Sequence, residues 1–379
     1  MPFPLPEADP ASLGLDPAAL ARLAATIERH VAEGLHPGAQ IAVARYGKLA
    51  LSRSFGAARI APEAVPTGER TLWLMYSNTK VVTAATVWRL VEEGALRFGD
   101  TVAHYLPGFG AHGKAGITLI QLLSHQGGFP SAVVPDACWT DHDLLRRTVC
   151  EFHTEWEPGT RVQYHPAAAH WVCAALIAAV TGQDFRRVIR EKIIAPLGVG
   201  DELFVGLPAE EQSRAAGMYD PAPHGRGFTP RMPEMSEAHR AAGVPGGGGY
   251  GSARAMAAFY QMLAQGGQLN GVRILSPRTI EYVTRNFTGD RVDDYTGTIM
   301  HRGLGPHIRG TTETMRGLGA LAHPSTFGHG GVGSSYCWAD PASGVSFAFF
   351  SNARLDNANV HDPRMEILSN LAHAAIVGA

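Results

Sequence analysis

The sequence predicts an α/β protein of the α+β kind: one sheet assembled from the two ends of the chain, flanked by helices, with a mainly helical domain inserted between them. Three observations predict it. Strand-like runs lie only before residue 56 and after residue 326, helical patterns fill the stretch between, and a capped helix stands near each end. The expected division is 1–94 and 236–379 for the sheet domain and 95–235 for the helical insertion.

The first helix is predicted over Asp16 to Gly34. Asp16-Pro17 supplies an N-cap followed by proline at the first helical position, and Gly34 closes the pattern. Ala39 to Tyr46 and Leu49 to Phe55 are short β-favouring runs joined at Gly47-Lys48, which reads as a hairpin. From about Ser77 to Glu93 apolar residues recur at helical spacing until Gly94. Helical patterns continue through Leu119 to Ser124, Asp143 to Cys150, Ala167 to Val180 and Phe185 to Ile194. Phe327 to Ala339, with its glycine cluster, and Gly344 to Asn352 are strand-like, and a capped helix from Asp362-Pro363 to Ile376 follows.

Composition narrows the function. The chain has 379 residues, 45 % hydrophobic and 17 % charged, with 44 Gly and 25 Pro, which describes a compact, loop-rich protein rather than a disordered one. With 32 basic against 34 acidic residues and no run of five like charges, it lacks the electrostatic footprint of a nucleic-acid binder. A small molecule is the expected partner. Cys138, Cys150, Cys173 and Cys337 are too sparse for a disulfide framework or a Cys-x-x-Cys pair and are read as reduced. Met1 to Pro10 has no basic and apolar secretory pattern, and Trp171 to Val180 is far short of the roughly 20 residues of a membrane helix. A soluble, cytoplasmic protein without a membrane partner is expected; no feature specifies its oligomeric state.

Several motifs fail on context. Gly108 to Ala115 nearly spells a phosphate loop, but Ala115 stands where a Mg²⁺-binding hydroxyl belongs. Gly246 to Gly251 satisfies Gly-x-Gly-x-x-Gly, yet it follows Pro245 and not a strand, and reads as a flexible loop of close approach. None of the 17 histidines falls in a His-Glu-x-x-His pair, and Gly-x-Ser-x-Gly is absent, so neither a metal, a cofactor nor an ordinary α/β-hydrolase is expected.

Ser77-Asn78-Thr79-Lys80 opens a strongly predicted helix. Residues i and i+3 share a helical face with Cβ atoms about 5–6 Å apart, so the Lys80 amine reaches the Ser77 hydroxyl. A serine hydroxyl becomes a nucleophile when a base takes its proton, and lysine serves once burial or nearby charge lowers its pKa. The alternative is an N-cap serine and a solvated lysine. The apolar residues that follow, Val81, Val82, Ala84, Ala85 and Val87, weigh against a solvated Lys80.

With Ser77-x-x-Lys80 in place, the sequence resembles the serine β-lactamase and penicillin-binding-protein superfamily, most of all its class C β-lactamase-like branch of family VIII carboxylesterases. Glu157-Pro-Gly-Thr-Arg-Val-Gln-Tyr164-His-Pro166 resembles the family's Pro-Gly-x-x-x-x-Tyr-x-Asn region, and Phe327-Gly-His329-Gly330-Gly331-Val332 occupies the place of its third motif. The resemblance implies a β-lactamase-like fold with an antiparallel sheet. It also implies Ser77 as nucleophile, Lys80 and Tyr164 as the proton-transfer pair, and the backbone N–H groups of Ser77 and Val332 as the oxyanion hole, with His329, Gly330 and Gly331 beside the substrate. Phe129, Trp156 and Tyr250, close in sequence to these motifs, are candidates for an apolar substrate wall.

Departures from the pattern are as informative. Pro166 stands where class C enzymes carry an asparagine, Ala132 where they carry a glutamine, and His329 where they carry a lysine. The groups that grip a β-lactam are thus missing. The expectation is a serine hydrolase of small carboxylic esters acting through a Ser77 acyl-enzyme. The alternatives are an amidase, D-aminopeptidase or acyltransferase with the same nucleophile acting on a secondary metabolite, a weak β-lactamase, and an inactive binding homologue.

Overall fold

The computed structural model describes residues 2–222 and 227–378. Its frame is a seven-stranded antiparallel sheet. The first hairpin pairs β1 (Gly38–Arg45) with β2 (Lys48–Arg59). The expected long run from Phe327 is two strands, β3 (Phe327–Gly331) and β4 (Ser335–Asp340), and β5 is Val345–Ser351. The order is His307–Ile308, β3, β4, β5, β1, β2 and Val65–Pro66. β5 therefore lies against β1, Phe349 opposite Ile41, and joins the two ends of the chain.

Both faces of this sheet are covered, which is why β1 and β5 are buried along their whole lengths. Successive side chains alternate between faces. Ile41, Val43, Phe347 and Phe349 pack on α1 (Pro17–Ala32) and the C-terminal helix Asp362–His373. Ala42, Ala44, Ala348 and Phe350 face the other way, against helix Ala253–Ala264. The small alanines let that helix lie close, and Ser346 Oγ donates to the Ala257 carbonyl at 2.9 Å.

On this second face stands α2 (Thr79–Glu92), entered through a tight 3₁₀ turn, Tyr76–Asn78. Helices Leu119–Leu123, His142–Cys150, Ala168–Thr181 and Phe185–Ile189 follow where periodicity places them, and Arg190–Ile194 extends the last as a π-turn. Their apolar side chains share one continuous cluster with α2 and the sheet. Among the described residues no helix is long and apolar enough to cross a membrane.

One expectation needs correction. Gly246–Gly251 is not a free loop: Gly249–Gly251 is the middle strand of a small sheet between Trp73–Leu74 and Leu203–Val205. Lys114, in the phosphate-loop look-alike, is buried and donates to the carbonyls of Ala111 at 2.8 Å, Cys150 at 2.9 Å and Phe152. That amine is committed to holding its own loop.

Candidate active site

Tyr76 adopts a left-handed backbone, φ 44°, and this sharp bend presents Ser77 at the mouth of α2. A tyrosine in that region costs of order 1–3 kcal/mol, a cost met by the surrounding packing. Ser77 is half-buried, whereas Lys80 one turn later is fully buried.

Lys80 Nζ lies 3.1 Å from Ser77 Oγ, 2.7 Å from the Pro166 carbonyl oxygen and 2.5 Å from that of Gly246. Burial, with a smaller contribution from the Arg302 cation, lowers its pKa to about 7. A neutral amine has two N–H bonds and one lone pair. The two carbonyls can only accept, so they take both N–H groups, and the lone pair is left for the Ser77 hydroxyl. Gly246 keeps this approach open: a Cβ would stand a tight 3.3 Å from both Lys80 Nζ and His170 Cβ.

Tyr164 Oη lies 2.8 Å from Ser77 Oγ on its other side. Burial pushes the Tyr164 phenol well above the ordinary tyrosine range, against the opposing effects of its bond to Ser77 and of Arg302. Lys80 reaches the ring of Tyr164, 5.0 Å from its centroid, rather than its oxygen. The phenol is therefore held protonated. The site has one group poised to take a proton and one poised to give it.

β3 forms the opposite wall. Ser77, Tyr164, His329 and Val332 line one narrow cavity of about 60 Å³, with Gly330 and Gly331 beside them. His329 is buried; its Nδ1 lies 2.8 Å from the Gly330 carbonyl oxygen, its Nε2 has no partner, and its ring packs 4.1 Å from that of His307. Burial first, then the charge of Lys80, holds His329 well below the ordinary histidine range, so it is neutral at pH 7. A larger groove of about 860 Å³ opens between helices His142–Cys150 and Ala168–Thr181, but it holds none of these groups.

The expected apolar wall is not there: Phe129, Trp156 and Tyr250 are absent from the cavity lining. Phe129 is fully buried against Phe109, Phe152 and His165, because its N–H is tied to His165 Nε2 at 3.1 Å and its ring turns into the helical core. Trp156 lies half-buried beneath the Arg161 guanidinium. Tyr250 is strand-paired with Leu74 and Phe204, its hydroxyl donating to the Glu234 carbonyl at 3.1 Å. Nearness in sequence to a motif does not fix which way a side chain points.

Sequence reading missed the lining from the 295–362 region: Tyr295, Arg302, His307, Arg316, Tyr336 and Asp362. Most of them sit in irregular connections, Tyr336 alternates along β4 and Asp362 opens the C-terminal helix, and no short motif marks any of them as lining the cavity.

Comparison with known proteins gives the chain its family. The Esterase/beta-lactamase LipL of Mycobacterium tuberculosis is 29 % identical over 343 residues, covering 83 % of this chain and 74 % of LipL. A crystal structure of a family VIII carboxylesterase superposes with a TM-score of 0.83 at 30 % identity, over 96 % of this chain and 99 % of that one. A penicillin-binding protein homologue from Caulobacter crescentus gives 0.82 at 29 % identity, over 96 % and 99 % of the two chains. LipL and the carboxylesterase are by name hydrolases of the esterase and β-lactamase type, and this chain is a hydrolase of that kind. The Beta-lactamase family profile matches residues 23–371, and the chain belongs to that family.

Proposed function

We propose that this enzyme hydrolyses small carboxylic esters through an acyl-enzyme on Ser77, as family VIII carboxylesterases do. The reading rests on one observation above all: Lys80 Nζ lies 3.1 Å from Ser77 Oγ and within hydrogen-bond distance of the Pro166 and Gly246 carbonyls, which in the neutral amine take both N–H groups and leave the lone pair for Ser77. Lys80 takes the hydroxyl proton as Ser77 Oγ attacks the ester carbonyl. The carbonyl oxygen becomes an oxyanion beside the N–H groups of Ser77 and Val332. Tyr164 then gives its proton to the departing alkoxide, leaving a phenolate that takes a proton from the attacking water, while Lys80 returns its own proton to Ser77 Oγ as that oxygen leaves the acyl carbon. Water enters by the same route in reverse and releases the acid.

The third motif favours an ester over a β-lactam. His329 is uncharged at pH 7, so the strand offers no fixed cation to a β-lactam carboxylate. A cavity of about 60 Å³ suits a short acyl group. The names of LipL and of the superposed carboxylesterase support the same class. Trp156 and its neighbours take no part in this reading, and neither a cofactor nor a metal enters it.

The test is hydrolysis of p-nitrophenyl acetate by the wild type and Ser77→Ala, with a chromogenic cephalosporin alongside. Ester turnover that vanishes in Ser77→Ala, with much slower cephalosporin turnover, is the expected result. Turnover that survives in Ser77→Ala, or faster cephalosporin hydrolysis, overturns it.

A further inference from the structure

Tyr164 is gripped at two points by one buried ion pair. Asp293 is fully buried, and its Oδ1 accepts the backbone N–H of Tyr164 at 3.1 Å and that of Tyr295 at 2.9 Å. Its Oδ2 accepts from Arg302 Nε at 2.7 Å and from Arg302 Nη2. The Arg302 guanidinium, only 2 % exposed, lies 5.0 Å from the centroid of the Tyr164 ring, the same distance as Lys80 Nζ. The carboxylate end of the pair thus holds the tyrosine backbone while the cationic end faces the ring. The Asp294 N–H also donates to the Val162 carbonyl at 2.9 Å and aligns this segment with the tyrosine's own.

A buried ion pair seldom adds stability over well-packed apolar residues of the same volume. Its value here lies in what it touches. The other groups facing Lys80 or Tyr164 are His125, His170, His307, His329, Tyr295 and Arg316. Burial holds all four of these histidines well below their ordinary range, and they carry no charge at pH 7. Arg316 stands 3.3 Å from the Asp362 carboxylate. Arg302 and Asp293 are therefore the fixed charges that the two ends of Tyr164 meet.

We infer that Asp293 and Arg302 are positioning residues that hold Tyr164 against Ser77 and keep Lys80 as the base and Tyr164 as the acid. The inference rests on the reading of Ser77 as nucleophile. The guanidinium repels a proton from Lys80, and the carboxylate opposes that repulsion. Replacing the two partners should therefore move the acid limb of the kcat/KM profile in opposite directions.

The experiment is that profile, from pH 5 to 10 with p-nitrophenyl acetate, for the wild type, Arg302→Met, Arg302→Lys and Asp293→Asn. Arg302→Met should move the limb up by about half to one unit, recovering activity at high pH; Asp293→Asn should move it down by a similar amount. Arg302→Lys keeps the charge and loses the fork, so kcat should fall about tenfold or more with the limb unmoved. Uniform loss at every pH in both Arg302→Met and Asp293→Asn, or shifts of the same sign, overturns the inference. Should Arg302→Met fail to fold, the isosteric Asp293→Asn decides by the direction of its shift. Intact mass after brief exposure to the ester separates the two readings. A wild type not acylated at Ser77 removes the nucleophile, whereas an acylated wild type with unshifted variants removes the positioning pair alone.

Discussion

A Cβ placed on Gly331 would stand 2.5 Å from the carbonyl oxygen of Met75, two residues before Ser77. Strand β3 and the turn bearing Ser77 are thus in backbone contact, and the width of the cleft is set by the missing side chain. Gly331→Ala should push the strand off the turn, lower kcat/KM at least tenfold and cost about 1–3 kcal/mol of stability. Ester kinetics together with thermal melting check both numbers.

The pH profile of the wild type should carry the signature of Lys80. The base works when neutral, and with a pKa of about 7 its active fraction falls tenfold for each unit below that value. Because the Tyr164 phenol is held high by burial, activity should stay level well above pH 8. A limb near 4, where a carboxylate titrates, would contradict the assignment.

Lys80 should also be costly to the fold. Its folded pKa lies below the unfolded value of about 10.4, so the unfolded chain binds the extra proton between the two and stability rises with pH across that window. Lys80→Met should abolish ester turnover and raise the melting temperature at pH 7. The gain should shrink toward pH 10; a gain independent of pH would mean the amine is not buried uncharged.

Tyr164→Phe should distinguish leaving groups. An alkoxide needs a proton as it departs, and the loss there should be about 10²–10⁴-fold. A p-nitrophenolate departs without one, so its loss should be many times smaller. Equal losses on ethyl and p-nitrophenyl acetate would take the acid role away from Tyr164.

Phe129 belongs to the core. Phe129→Leu should lower the melting temperature and leave the shape of the acyl-chain-length profile unchanged. A changed preference between acetyl and butyryl esters would return it to the substrate wall.

The frame was legible because its signals are local. Asp16-Pro17 caps α1 as read, with Asp16 accepting the Ala18 N–H at 2.8 Å, and the hairpin turns at Tyr46-Gly47, within a residue of its predicted place. Ser77 and Lys80 were legible because three residues make one helical turn. Helix Ala253–Ala264, buried nearly all round, is not among the elements read from the sequence. Asp293 and Arg302 lie 129 and 138 positions beyond Tyr164, and a contact at that range leaves no periodicity. The wall residues failed for the converse reason: Phe129 and Trp156 are near the motifs in sequence, but a backbone tie to His165 turns the Phe129 ring into the core and the Trp156 ring lies against the Arg161 guanidinium.

The pairing of β1 with β5 has a temporal consequence. During synthesis the hairpin that opens the sheet emerges some 300 residues ahead of the strand that covers its free edge. Until Val345–Ser351 leaves the ribosome, β1 shows its unpaired edge to any partner, and the strand opposite Ser77 has no sheet to hold it. Pairings of such long range form late and slowly. A ribosome stalled before residue 327 would carry Ser77 in its turn and Lys80 on α2 but no β3 wall across the cleft, so under the proposed mechanism the chain would stay hydrolytically silent until its own sheet is complete.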